Sequence, residues 1–401
     1  MSETPTGDFA PLHAAMKRYV DANLLPGVSS AVLVGREVVD QHCVGWADIE
    51  NQVPLRTDSL FRVFSNTKLI TSCTVMLLVE EGRLALDDPI ERYLPQLGDR
   101  RVLRPGATQI DDTEPAVRPI TIRHLLTHSA GLSYLFLLDP GSPMYQAYVA
   151  AQVLSPTATV AELIERIAPL PLAFQPGTSW EYSIATDVLA RLVEVIDGRP
   201  FGDAIAARIL KPLGMTDTGF VVPATDHHRL VTLYSGADLL QPMMPGLTRT
   251  DQVPWILEPG AHFQPQPLQS GGGGLVSSLP DMIRLIQALL PGGPTLLQPQ
   301  TLAMLMRNQL AEDVWLGFPV LGRIAGKGYG LGGAVTVAPS ASDPPNCTDE
   351  FWWGGIAGTQ WWISPRNDLA AVVMTQRDRA FWHPFAPELK KLIYQAVASP
   401  R

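Results

Sequence analysis

Apolar residues recur with more than one period along this chain, and the periods sort it into helix and sheet. Residues 11–23 place Leu12, Ala15, Met16 and Val20 at the three- and four-residue steps of an amphipathic helix. The runs SAVLV at 30–34 and EVV at 37–39, split by Gly35-Arg36, predict a β-hairpin that opens a sheet. Residues 67–81 are apolar on nearly every side (Leu69, Ile70, Val75, Met76, Leu77, Leu78, Val79), which predicts a helix buried in the middle of the molecule. Gly82 follows where a left-handed helix terminus is expected. Residues 84–182 lose this regularity: prolines punctuate them, and helical stretches are legible only at 120–127 and 159–167. Helices resume at 186–196 and 201–210, the first ended by Asp197-Gly198. Near the C-terminus QWWIS (360–364) and LAAVVMT (369–375) are β-runs joined by the turn PRND, and a last helix is expected at 387–398. Sheet segments at both ends with a helical insert between them predict two lobes. One is an α/β lobe made of 1–83 and 183–401, an antiparallel sheet flanked by helices; the other is a smaller helical domain, 84–182. The active site is expected in the cleft between them. Residues 241–269, rich in Pro and Gln, read as a long loop.

Composition narrows the function. The 401 residues include 39 Asp+Glu against 30 Lys+Arg, a net charge of −9, which argues against a protein that tracks nucleic-acid phosphates. No apolar run reaches the roughly 18–20 residues of a membrane span. The start, MSETPTGDFA, lacks the basic and apolar regions of a signal peptide. Three scattered cysteines, Cys43, Cys73 and Cys347, form no CxxC and no disulfide framework; the expectation is a cytoplasmic protein in a reducing compartment.

The sharpest chemical feature is Phe61-Arg62-Val63-Phe64-Ser65-Asn66-Thr67-Lys68. A β-like stretch runs into Ser65 at the mouth of the buried helix, and Lys68 follows three residues on. Positions i and i+3 share a helix face, so the Lys68 amine can reach the Ser65 hydroxyl. Backbone N–H groups at the helix start are aimed at any anion formed there. A serine nucleophile needs such a basic neighbour. Alone, however, Ser-x-x-Lys arises often by chance.

Further motifs follow in order: Glu80-Glu81-Gly82-Arg83-Leu84-Ala85-Leu86-Asp87-Asp88-Pro89-Ile90, Thr127-His128-Ser129-Ala130-Gly131-Leu132, Pro176-Gly177-Thr178-Ser179-Trp180-Glu181-Tyr182-Ser183, Gly271-Gly272-Gly273-Gly274 and Trp353-Gly354-Gly355. Over roughly residues 10–395 this order resembles the serine β-lactamase and penicillin-recognising superfamily, and within it the family VIII carboxylesterases, relatives of class C β-lactamases. The resemblance implies a β-lactamase-like fold, with Ser65 as the acylated nucleophile and Lys68 and Tyr182 as its proton-handling partners. Which of the two takes the serine proton stays open at this level, since an ammonium beside a phenol permits either. It implies an oxyanion hole from the N–H groups of Ser65 and Ile356, and substrate binding along Trp353, Gly354 and Gly355, where relatives carry Lys-Thr-Gly. Two residues after Tyr182, Ile184 stands where β-lactamases keep an asparagine.

The expected activity is therefore hydrolysis of small, short-acyl neutral esters through an acyl-Ser65 intermediate, with no cofactor or metal. Weak β-lactamase or cephalosporin deacetylase side activity is compatible with that. The alternatives are a β-lactamase, a D-alanyl-D-alanine carboxypeptidase-like enzyme, an acyltransferase, or a ligand-binding protein without turnover. Other signals are weaker. No Gly-x-Ser-x-Gly elbow occurs. His124 and His128 are four apart but lack His-Glu-x-x-His. Asp87-Asp88 before Pro89 read as a helix N-terminal cap, and His227-His228 as an exposed loop pair.

Overall fold

The computed structural model describes residues 7–238, 240–250, 260–319 and 321–398. Its centre is an eight-stranded antiparallel sheet. The strands run, in spatial order, Lys327–Tyr329, Ala334–Thr336, Phe351–Gly354, Gln360–Ser364, Leu369–Thr375, Gly27–Val34, Glu37–Asp48 and Val53–Pro54. The two ends of the chain meet where Gly27–Val34 pairs with Leu369–Thr375, with Ala31 opposite Val372. The expected hairpin is the pairing of Gly27–Val34 with Glu37–Asp48.

Both faces of the sheet are covered, which explains why LAAVVMT reads as a continuous apolar run: every residue of that strand is buried. The two-residue period still sorts neighbours. Trp362 packs with Leu12, Met16, Leu389 and Ile393 of the terminal helices Ala10–Asp21 and Phe385–Ala398. Trp361 faces the opposite layer with Leu69, Val75, Leu189 and Leu285, from the helices Thr67–Glu80, Ala185–Asp197 and Leu279–Gln287. Thr67–Glu80 is buried nearly all round, as its pattern predicts, and Gly82 beyond it adopts φ +68°.

Residues 84–182 are irregular, with helices Ile122–Leu126, Pro143–Ala150 and Val160–Ile167 and a small antiparallel pair, Arg101–Leu103 with Thr113–Pro115. The last of these helices starts with a reciprocal cap between Thr159 and Glu162. Neither Asp87 nor Asp88 caps a helix, contrary to the expectation. Asp88 accepts from the Ala85 N–H at 2.8 Å and the Tyr93 hydroxyl at 2.6 Å, while Asp87 pairs with Arg123 at 2.8 Å. Carboxylates before a proline here pin a turn. His228 is exposed as expected, but the His227 ring sits 4.2 Å from that of Phe263. Within 241–269, Leu247–Arg249 pairs with Tyr234–Gly236, so the expected loop contains a strand; 251–259 lie outside the described residues. All three cysteines are free. Among the described residues no helix is long and apolar enough to cross a membrane.

Candidate active site

The Ser65 segment is held from both sides. Leu60–Arg62 pairs with Val276–Ser278, and the Val63 N–H donates to Leu275 O at 3.0 Å. The chain then turns sharply through Phe64, whose φ is +43°, a costly conformation for a bulky side chain. Packing of Phe64 with Leu233 and Ala357 holds it there. A 3₁₀ turn, Phe64–Asn66, leads into the helix Thr67–Glu80. From residue 59 to 76 only Ser65 is not fully buried, so the turn delivers one hydroxyl to the surface of the site.

Lys68 reaches Ser65 as the spacing predicts, with Nζ 3.4 Å from Ser65 Oγ, although the side chain is 1% exposed. Its nitrogen also donates to Gly272 O at 2.7 Å and to the Tyr134 hydroxyl at 3.0 Å. Three acceptors match the three N–H donors of an ammonium. Tyr182, 117 residues from Ser65, donates its hydroxyl to Ser65 Oγ at 2.6 Å, and Lys68 Nζ lies 4.5 Å from the centre of its ring. Ser65, Lys68 and Tyr182 are thus brought together.

The third motif arrives on the strand Phe351–Gly354, beside the Ser65 turn. Gly355 lies against Val63 O and Thr359 Oγ1, where a Cβ would collide with both. Ile356 packs beside Phe64 and Ala357. Trp353, 2% exposed, turns its indole onto Tyr182: Nε1 donates to the Tyr182 hydroxyl at 3.3 Å, and the rings are 5.2 Å apart. The third motif is therefore in direct contact with the tyrosine that reaches Ser65.

Of three further residues beside the cluster, Tyr134 and Asp187 carry no sequence signal of their own. Tyr134 supports Lys68, and burial, with the charge of Asp187 adding to it, pushes its phenol well above the ordinary range, so it stays protonated. Asp187 is fully buried; it accepts from Ser270 Oγ at 2.6 Å and from Gly272 N at 3.1 Å. His128, which the sequence places in the Thr127–Leu132 motif, lies under the Tyr182 ring at 4.9 Å with Nδ1 3.0 Å from Ser183 Oγ. Burial, with the Lys68 charge, drives its imidazole well below the usual histidine range, so it is neutral. His124 instead closes a cap with Thr121. Among the described residues no His, Cys, Asp and Glu cluster could hold a metal ion.

A cavity of about 630 Å³ opens beside Tyr182, lined by Trp180, Glu181, Trp315, Phe318, Met144 and Arg323 among others. Its size falls in the range of small-molecule sites, and of Ser65, Lys68 and Tyr182 it is Tyr182 that lines it.

A family model described as Beta-lactamase matches residues 12–395, and the chain belongs to that family. It is 33% identical to Esterase EstB from Burkholderia gladioli over 375 residues, 91% of this chain and 90% of that protein. It is 31% identical to lovastatin esterase from Penicillium rubens, over 80% of each chain. Among solved structures, EstCE1, a hydrolase with promiscuous acyltransferase activity, superposes with a TM-score of 0.81 at 25% identity, covering 96% of this chain and 97% of that one. The fold is β-lactamase-like, and the sequence resemblance holds over nearly the whole length.

Proposed function

We propose that this protein is a serine carboxylesterase that hydrolyses neutral, short-acyl esters through an acyl-Ser65 intermediate. The observation that carries the reading is the 2.6 Å hydrogen bond from Tyr182 to Ser65 Oγ, with the Lys68 ammonium beside both. Ser65 Oγ attacks the ester carbonyl. In the reacting state the Tyr182–Lys68 pair holds one proton fewer, as a Lys68 amine or as a Tyr182 phenolate beside the Lys68 ammonium; it takes the Ser65 proton during attack and returns it to the departing alkoxide, and water then repeats the sequence on the acyl-enzyme. The N–H groups of Ser65 and Ile356 are assigned to the oxyanion. The Trp353 Nε1–H faces the Tyr182 oxygen, where it favours negative charge developing during transfer. The cleft is taken to lie between the lobe of 1–83 and 183–401 and the lobe of 84–182. The free thiols fit a reducing cytoplasm, and the acidic balance fits a small-molecule rather than a nucleic-acid partner.

The preference for neutral substrates follows from Trp353. An indole offers one donor and no charge where a cation would hold a β-lactam or peptide carboxylate. The missing charge-assisted hydrogen bond is worth about 1.5–3 kcal/mol, roughly ten- to a hundred-fold in affinity. Kinship to esterases supports hydrolysis of an ester. The acyltransferase reading has its own support: the cavity has room for an acceptor alcohol, and a structural relative carries that side activity.

The test compares kcat/KM for p-nitrophenyl butyrate and nitrocefin, with Ser65→Ala as the control. The butyrate ester is expected to be preferred, and Ser65→Ala to fall at least about a thousand-fold while melting like the wild type. A fluorophosphonate adduct should map to the Ser65 peptide. Nitrocefin turnover equal to that of the ester would replace the carboxylesterase by a β-lactamase.

A further inference from the structure

The Lys68 ammonium is fully enclosed, and its three hydrogen-bond acceptors, Ser65 Oγ, Tyr134 Oη and Gly272 O, are all neutral. An enclosed charge without a counter-charge is expensive, so a fold that keeps one must place an opposite charge near it. Asp187 meets this need by position. It lies in the first turn of the helix Ala185–Asp197, five residues past Tyr182, and is 0% exposed. Its Oδ1 clamps the glycine loop by accepting from Ser270 and from the Gly272 N–H. The other face of that peptide segment offers Gly272 O to Lys68. Oδ2 is buried and turned toward the Tyr134 hydroxyl, its nearest hydrogen-bond donor.

Gly272 locates that oxygen. A Cβ at position 272 would fall 2.5 Å from the Tyr134 hydroxyl, 2.7 Å from Asp187 Oδ2 and 3.3 Å from Lys68 Nζ. The phenol, the carboxylate oxygen and the ammonium therefore converge on one point, which only a residue without a side chain leaves open. Burial raises the Asp187 carboxyl above its ordinary value, an effect that Ser270, Lys68 and Gly272 offset in part.

We propose that Asp187 is a positioning residue of the active site, whose carboxylate balances the Lys68 ammonium and, through the Ser270–Gly272 loop and Tyr134, aims it at Ser65. The inference rests on the serine-esterase reading. Asp187 touches neither Ser65 nor the cavity, and acts through Lys68 alone. Its loss should therefore slow the chemical step without changing how substrate binds.

Asp187→Asn tests this. The amide oxygen can still accept from Ser270 and Gly272, so the clamp persists while the charge is lost. With p-nitrophenyl butyrate, kcat should fall about a hundred-fold, the scale of an acid–base contribution, with KM within about twofold. Combined with Tyr134→Phe, the loss should be well short of the product of the two separate losses, because both act on one ammonium. A kcat within about threefold of wild type, or equal changes in kcat and KM, would overturn the proposal. If Asp187→Asn does not fold, Tyr134→Phe decides: it removes one acceptor of Lys68 and should lower kcat at constant KM, and an unchanged kcat would overturn the proposal. The two readings fail differently. Absence of ester turnover by wild type, with Ser65 unlabelled by fluorophosphonate, sinks the esterase assignment; normal turnover by Asp187→Asn sinks only the positioning role.

Discussion

Lys68 and Lys327 are both withdrawn from solvent, at 1% and 6% exposure, yet their surroundings are built on opposite terms. Lys327 begins an edge strand and faces Thr336 across the ladder, so its Nζ meets Thr336 Oγ1 at 3.0 Å. It ends in a direct ion pair with Asp343 at 2.8 Å, and the Trp352 ring lies 5.9 Å away. Lys68 has no carboxylate in hydrogen-bond contact; its acceptors are two hydroxyls and a carbonyl. The contrast separates structure from chemistry. A lysine bound directly to a carboxylate is held in place by the pair, and removing either partner is costly. A lysine held by neutral acceptors, with its counter-charge one shell out, can answer a change of charge on a neighbouring oxygen.

Lys68→Met should break the comparison hardest. Ester kcat/KM is expected to drop by at least about a thousand-fold in a protein that still folds, because the serine loses the cation that its proton transfer depends on. Lys327→Met should leave kcat within about twofold, since the Lys327 ammonium is bound to Thr336 and Asp343 and not to Ser65 or Tyr182. Its effect falls on stability instead. Removing one partner strands the charge of Asp343; the Asp343 side chain is 19% exposed, which lets water soften the penalty to about 2 kcal/mol. Activity assays and thermal melts on the two variants check both halves. If Lys327→Met were the inactive one, the division between a structural and a chemical lysine would be wrong.

The same contrast explains what was legible in the sequence. Ser65 lies in the 3₁₀ turn that opens the buried helix and Lys68 in that helix's first turn, so spacing alone proposes their contact. Tyr182 lies 117 residues away and was found only because its surroundings resemble a known motif. Tyr134 and Asp187 stayed hidden. A tyrosine between Ser133 and Leu135, and an aspartate in a helix's first turn, have ordinary local explanations, and only the folded chain brings them to Gly272. Trp353 was legible as a departure from the family's lysine, but its contact with Tyr182 depends on which side of a strand it faces. The central strands were readable because the covered sheet demands long apolar runs. The short strands Lys327–Tyr329, at the sheet edge, and Ala334–Thr336 beside it, and the pair Arg101–Leu103 with Thr113–Pro115, carry too few residues for a period to appear.

The smallest expected effect sharpens the Lys327 side. Burial pushes the Asp343 carboxyl up, but the Lys327 ammonium and the Ser340 donors outweigh burial and hold it below the ordinary value. A carboxyl whose folded value is depressed stabilises the fold fully above its unfolded value of about 3.9, and loses that contribution as pH falls through the folded value. In Lys327→Met the main source of the depression is gone. The difference in melting temperature between wild type and Lys327→Met should therefore be constant from pH 7 to about 5 and narrow as the pH is taken toward 3. Calorimetry of both proteins over the acidic range in which they unfold reversibly makes the measurement. Other carboxylates titrate in the same window, but they do so in both proteins and cancel in the difference. A gap that stays constant down to the lowest pH would mean that Lys327 stabilises the sheet edge through its alkyl stem and Trp352 rather than through Asp343.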